Sequence, residues 1–168
     1  MYESPTAKGT LDVKGLALVK GDSSQLTRTL QHDVINAIMR NPTDAWSVVE
    51  GMINDAIATI KQLDKSKLIK QSKLGSELCY KNPAAVVSLQ VANKMKARGQ
   101  EEPQAGDLVP FLVGVGASTK IVDRADHPDH IVDVDYYYYI DRQIIKPLVR
   151  ILDVLKTNWR DSIQSVYY

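Results

Sequence analysis

The sequence is poor in the residues that staple or anchor a chain. Cysteine occurs once, at Cys79, which excludes an internal disulfide and a cysteine-built zinc site and suits a reducing compartment. No apolar run approaches the length of a membrane span, and the opening MYESPTAKGT has no apolar core of the kind a secretion signal needs. Net charge is nearly absent too. Lys and Arg number 21 against 20 Asp and Glu, a formal balance of +1, so the chain is not a generally basic nucleic-acid binder. These absences predict a soluble, intracellular protein with no membrane partner.

Recognisable catalytic signatures are also lacking. GVGAST, residues 114–119, lacks the spacing of either Gly-rich phosphate fingerprint, and no Gly-Lys-Ser/Thr ending follows it. There is no GxSxG elbow, and Cys79 has no histidine near it in sequence. His127 and His130 form HPDH beside Asp126 and Asp129. The one further histidine is His32, inside a helical pattern far along the chain, and a metal needs three or four ligands converging on one point. A polar surface turn is the expectation for HPDH. No catalytic residue is assigned.

What is present is a chain of 168 residues, 44% of them apolar, enough for one large domain or a domain with an extension. Its charge is unevenly placed. Lys61, Lys65, Lys67, Lys70, Lys73 and Lys81 face only Asp64 and Glu77, whereas residues 123–141 are acidic against Arg124 alone. One surface positive and another negative is the expected result.

Residues 1–22 differ from the rest, with one alternating run, LDVKGLALVK, that reads as strand and turn. Ser23 or Ser24 then caps a helix whose stripe is Leu26, Leu30, Val34, Ala37 and Ile38. Asn41-Pro42 reads as the cap and first turn of a second helix burying Trp46, Val49, Ile53, Ala56, Ile57 and Ile60. The two helices are expected to pack antiparallel across a short connection. KLIKQSK (67–73) reads as a basic strand. Asn82-Pro83 opens a third helix through Val87, Val91 and Met95 to Gly99, and GQEEPQAG is a loop. LVPFLVGVG is a second strand, continued by KIVD at residues 120–123, and ADHPDHIVD is another loop. Asp135 caps a last helix with Ile140, Ile144, Leu148, Ile151 and Leu155 inside. Pro147 sits in the middle of that helix, where it removes one backbone bond and presses on the carbonyl of Gln143, so a kink or restart is predicted. The fold class is mainly α with a few short β-strands.

Lys67, Lys70 and Lys73 stand three apart with Leu68, Ile69 and Leu74 between and beside them. Such lysines suit backbone phosphates, which need charge and reach. They equally suit a solubilising edge that blocks strand pairing. The pattern alone leaves both readings open.

Taken in order, LDVKGLALVKGDS, two helices, KLIKQSKL, VANKMKARG, GDLVPFLV and DYYYYIDRQIIKPLVRIL resemble the C-terminal part of family B DNA polymerases, of the eukaryotic delta and large-DNA-virus kind, over nearly the whole chain. Asp135, Tyr138, Tyr139, Ile140, Gln143, Pro147, Leu148, Arg150 and Ile151 carry the most specific part; Gly106, Asp107, Val109 and Pro110, and Asp12, Lys14, Gly15 and Leu16, carry the rest. The resemblance implies a helical thumb lobe at residues 23–168, preceded by a palm-to-thumb tail at residues 1–22, gripping primer–template duplex DNA through its phosphates. It puts forward Lys67, Lys70, Lys73 and Lys81 on the contact strand and its flanks, with Lys14 and Lys20 near the primer, and makes Asp135, Tyr138, Tyr139, Gln143, Pro147 and Arg150 a structural motif. Two departures weaken that grip: Val19-Lys20-Gly21-Asp22 stands where a second cation is usual, and Ser88 where a histidine is common.

By the same resemblance the enzyme is a DNA-directed DNA polymerase. Its two metal-binding aspartates, with two divalent ions such as magnesium, lie in palm motifs outside this sequence, so this chain alone is expected to be inactive. The remaining palm, fingers and exonuclease would be partners, in a nucleus or at a viral replication site. A sliding clamp is a further partner of such enzymes, although DSIQSVYY lacks the spacing of a clamp-binding motif. Two alternatives stand beside this: a stand-alone duplex-DNA-binding accessory module, and a protein-interaction domain whose DNA grip has decayed.

Overall fold

The computed structural model describes residues 2–5, 11–14 and 23–167, with side chains for residues 23–76 and 78–163. The chain divides into two compact units, one of residues 1–63 and 139–168, the other of residues 64–138. In the first, β1 (Tyr2–Pro5) pairs antiparallel with β2 (Leu11–Lys14). The strand expected over LDVKGLALVK is thus seen at its first four residues, and its remainder lies outside the described residues.

The helices of that unit follow their sequence signals closely at one end and poorly at the other. α1 (Gln25–Arg40) starts at Ser24, whose hydroxyl accepts the Thr27 backbone N–H. Its buried face is Thr27, Leu30, Gln31, Val34 and Ile35, rotated from the apolar stripe, so Leu26, Ala37 and Ile38 are only half-buried. Asn41 closes α1 instead of opening α2, donating from its side-chain amide to the Ala37 carbonyl at 3.0 Å. α2 (Ala45–Thr59) begins three residues after Pro42, following Asp44. Val49, Ile53 and Ile57, with Ile60 in the 3-10 turn beyond, make its buried face, while Trp46 and Ala56 are half-buried. α1 packs on α2.

The segment around Pro147 is resolved by a change of helix type. α5 (Tyr136–Tyr139) widens into a π-helix at Ile140–Ile145, and α6 (Lys146–Leu155) follows. In a regular α-helix the Gln143 carbonyl would accept from residue 147, but proline has no N–H and its ring crowds that carbonyl. The π turn removes the conflict: Lys146 donates to Asp141, five residues back. The Gln143 carbonyl then turns to α1, where the Thr27 hydroxyl lies 2.7 Å away. That hydroxyl is also 2.9 Å from Gln143 Oε1, which accepts from Ser24 Oγ at 3.1 Å. One turn on, Gln31 Nε2 donates to the Pro147 carbonyl at 2.9 Å. Ser24, Thr27 and Gln31, at spacings of three and four, form a polar seam along the buried face of α1, facing the broken helix. Buried carbonyls demand partners, and this seam supplies two.

Ile140, Ile144, Leu148 and Ile151 are buried as the helical spacing predicts, with Leu152 taking the place assigned to Leu155. The chain breaks at Lys156 and resumes as α7 (Trp159–Tyr167), which packs on α2 through a side anchored by buried Trp159 and Ile163. The Trp159 indole donates to Asp153 at 2.7 Å.

The second unit is built on a small antiparallel sheet of order β3–β4–β5: β3 (Lys70–Lys73), β4 (Leu108–Val113) and β5 (Ala125–Asp126). Registers run Lys70 to Phe111, Lys73 to Leu108 and Val113 to Ala125. α3 (Val87–Ala97) packs on this sheet through Leu89, Val91 and Ala92. Asn82-Pro83 opens a 3-10 turn (Pro83–Ala85) rather than α3 itself. Gly99, at φ +73°, ends the helix as expected, letting Gln100 donate back to the Met95 carbonyl. KIVD is not a strand. Residues Ile121–Arg124 form a helical turn, α4, and the returning strand is β5 in the segment read as a loop. Lys94 holds that turn, its Nζ donating to the carbonyls of Val122, Asp123 and Ala125.

Candidate nucleic-acid interface

The basic segment lies in the second unit, and its local structure decides what each lysine can reach. Asp64 caps the 3-10 turn Lys65–Lys67 by accepting the Ser66 N–H at 2.8 Å. That backbone bond, then the Ser66 side chain and Lys67 nearby, hold the Asp64 carboxyl below the usual carboxylate range, so a negative charge sits at the foot of the turn. Lys65 bends back and donates to the carbonyls of Ile131 and Val132 at 3.0 and 3.1 Å. It ties a loop down. Lys67 is exposed.

β3 is the outer strand of the sheet. Successive side chains on a strand point to opposite faces, so Lys70 and Ser72 share one face while Gln71 and Lys73 share the other. Burial alternates accordingly, Lys70 and Ser72 half-buried, Gln71 and Lys73 exposed. Lys70 extends over its paired residue, with Nζ 5.8 Å from the Phe111 ring centre, where a cation–π attraction holds it. Lys73 projects into solvent, as does Lys81 beyond the loop that follows β3. The lysines at 70 and 73 are thus on one strand but not one face. Lys20 and the Lys14 side chain lie outside the described residues, as do the side chains of residues 164–168 where a clamp motif was considered.

The structural motif falls partly in each unit. Asp135 receives the Tyr138 N–H at 3.1 Å and pairs through its other oxygen with Arg124. Tyr139 is fully buried and Gln143 is 6% exposed in the hydroxyl seam. Arg150 is exposed on α6, and of the two added tyrosines Tyr137 is 67% exposed and Tyr136 half-buried. Ser88 is buried within α3, away from solvent. Ser24, Thr27 and Gln31 escaped the sequence reading; the signal that could have found them is three polar residues spaced three and four apart next to the apolar stripe.

Elsewhere, HPDH forms a 3-10 turn in which His127 Nδ1 accepts the Asp129 N–H. Among the described residues no group of three or more His, Cys, Asp or Glu could hold a metal ion, and no helix is long and apolar enough to cross a membrane. The GVGAST turn borders a cleft of about 240 Å³ with Lys94, Arg124 and His130. Its cations are engaged, Lys94 on three carbonyls and Arg124 on Asp135. Gly114 is required there by close approach: a Cβ would lie 3.1 Å from Ile131 and 3.3 Å from the Asp133 carbonyl.

The family model described as DNA polymerase family B matches residues 1–155. The chain belongs to DNA polymerase family B. Among its relatives, the DNA polymerase delta catalytic subunit of Dictyostelium discoideum is 30% identical over 165 residues, 94% of this chain and 14% of that protein. A DNA polymerase of Paramecium bursaria Chlorella virus NY2A is 31% identical, over 92% of this chain and 17% of its own length. The family B DNA polymerase of Pyrobaculum calidifontis shares the fold at a TM-score of 0.73 and 24% identity, covering 92% of this chain and 20% of that one. The chain therefore spans between about a seventh and a fifth of these family B polymerases.

Proposed function

We propose that this chain is thumb, residues 23–168, with a palm-to-thumb tail at residues 1–22, of a DNA-directed DNA polymerase, and that it grips primer–template duplex through backbone phosphates during DNA replication. The observation that carries the reading is the outer strand β3 and its flanks, where Lys67, Lys73 and Lys81 are exposed on the unit that also holds Lys70. Lys14 and Lys20 extend the grip toward the primer. Lysines on an edge strand offer charge and reach without base-reading geometry, and a copying enzyme must accept every product sequence. The motif from Asp135 to Arg150 supports the same reading by fixing the fold and not by touching DNA. In this reading phosphoryl transfer belongs to palm aspartates and two divalent ions outside this sequence. This chain alone extends no primer, and it works with palm, fingers and exonuclease in a nucleus or at a viral replication site.

The test is binding of the chain to a labelled primer–template duplex across a salt series. The logarithm of affinity should fall linearly with the logarithm of salt, and the Lys73→Ala, Lys81→Ala double variant should lower the slope by about two. Binding with an unchanged slope would remove these lysines from the phosphates.

A further inference from the structure

The most exposed large apolar side chain among the described residues is Leu78, at 97%. A single exposed leucine is ordinary on a protein surface. Its setting here is less so, because the loop that carries it is tied at several points. Leu74 exchanges bonds with the neighbouring turn, donating to the Asp107 carbonyl at 2.8 Å and accepting from Gly106 at 2.7 Å. The Gly75 N–H donates to the Tyr80 hydroxyl at 2.5 Å, closing the loop on itself. Gly75 is needed for that closure, since a Cβ there would lie 2.8 Å from the same oxygen. Inside it, Glu77–Cys79 is a 3-10 turn in which Cys79 donates to Ser76 at 2.9 Å. Lys73 precedes the loop and Lys81 follows it, both exposed.

We propose that Leu78 is an apolar contact for the minor groove of duplex DNA, seated between phosphates held by Lys73 and Lys81. The inference rests on the phosphate-grip reading and names what lies at its centre. A loop ordered in advance loses little freedom on binding, so a leucine on it is an effective contact. The minor groove, about 6 Å wide, admits a single side chain on a tight turn, whereas the major groove, about 12 Å wide, suits a helix. The minor groove also presents a nearly degenerate pattern of acceptors, and an apolar side chain there meets sugars and groove floor at any sequence. In the major groove the same leucine would favour thymine methyl groups, which a sequence-independent grip must avoid.

Cys79 makes the test direct, because it is the one cysteine of the chain and adjoins Leu78. Duplexes are prepared with a mixed-disulfide tether either on guanine N2, in the minor groove, or on cytosine C5, in the major groove. The Cys79 thiolate displaces the small thiol of the tether, forming a protein–DNA disulfide. The minor-groove tether should be captured several-fold faster, and Cys79→Ser should abolish capture. In parallel, Leu78→Ala should weaken duplex binding by about tenfold, the scale of one buried leucine, with the salt slope unchanged. Lys73→Ala and Lys81→Ala should each lower that slope by about one. Preferential major-groove capture, or unaltered affinity in Leu78→Ala while salt-dependent binding persists, overturns the Leu78 proposal and leaves the phosphate grip intact. Absence of salt-dependent duplex binding overturns both.

Discussion

The two units solve the same problem, burying backbone that ordinary secondary structure leaves unpaired, with different chemistry. In the first, neutral hydroxyls and amides meet freed carbonyls: Ser24, Thr27 and Gln31 on α1 serve Gln143 and Pro147. In the second, charges do it. Lys94 gathers three carbonyls, Arg124 pairs with Asp135, and Arg98 grips Asp126 through two bonds. The neutral seam is indifferent to pH and salt, whereas the charged unit depends on which groups are ionised. The unit proposed to hold DNA is thus also the one whose integrity answers to its ionic surroundings.

The largest expected effect tests the apolar core that both halves of the first unit share. Leu148, fully buried on α6, leaves a cavity when changed to alanine, and Leu148→Ala should cost about 2–5 kcal/mol in denaturant unfolding. Hydrogen exchange should show the loss in residues 25–59 and 139–163 first. Uniform loss in both units would dissolve the comparison.

Next comes the seam. Thr27→Val keeps the volume but strands the Gln143 carbonyl, and should cost about 1–3 kcal/mol. Pro147→Ala restores an N–H that can reach that carbonyl by reverting the π turn to α. The double variant should therefore cost less than the sum of the singles, as measured by a thermodynamic cycle. Additive costs would mean the hydroxyl does not serve the carbonyl freed by proline.

A smaller effect separates the units by pH. Burial pushes the Asp126 carboxyl up, but the Arg98 guanidinium, the His127 backbone N–H and nearby Lys94 outweigh it and leave the group below the usual range. A depressed carboxylate stabilises the fold above its unfolded value, about 3.9, and that contribution fades as pH falls through the lower folded value. Residues 64–138 should lose exchange protection in acid before the helical unit does, and Asp126→Asn should flatten that difference.

The smallest change in stability, and the sharpest for DNA, concerns two lysines of one strand. Lys73→Ala should lower the salt slope of duplex binding by about one, while Lys70→Ala, held over Phe111 on the other face, should lower it less and cost some stability instead. Equal slopes would show that both faces of β3 meet DNA.

Much of the first unit was legible in advance. Ser24 as a cap, the buried faces of α2 and α6, and a break at Pro147 all follow from local rules about spacing, hydroxyl caps and a missing N–H. The misreadings are equally physical. Asn-Pro signals a helix start by its steric limits, yet Asn41 found the nearer Ala37 carbonyl and became an end. KIVD has strand-forming residues, but Lys94 reaches the carbonyls of residues 122, 123 and 125 and rewards a helical turn. For the candidate interface, charge density was legible and direction was not. Spacing of three suggested a common stripe, whereas a strand alternates every second residue.

What the sequence by itself determined is therefore what covalent chemistry and short-range patterning can carry: helical stretches, the proline break, the basic segment and membership of family B. Tertiary structure alone decided which groups answered the consequences. The carbonyl freed by Pro147 is met by a threonine 116 positions from Gln143, Lys65 is turned inward onto a loop 66 positions away, and Lys70 and Lys73 are parted by the strand they share. A buried polar atom must be satisfied by whatever the fold brings within about 3 Å, and nothing local to that atom in the chain names its partner.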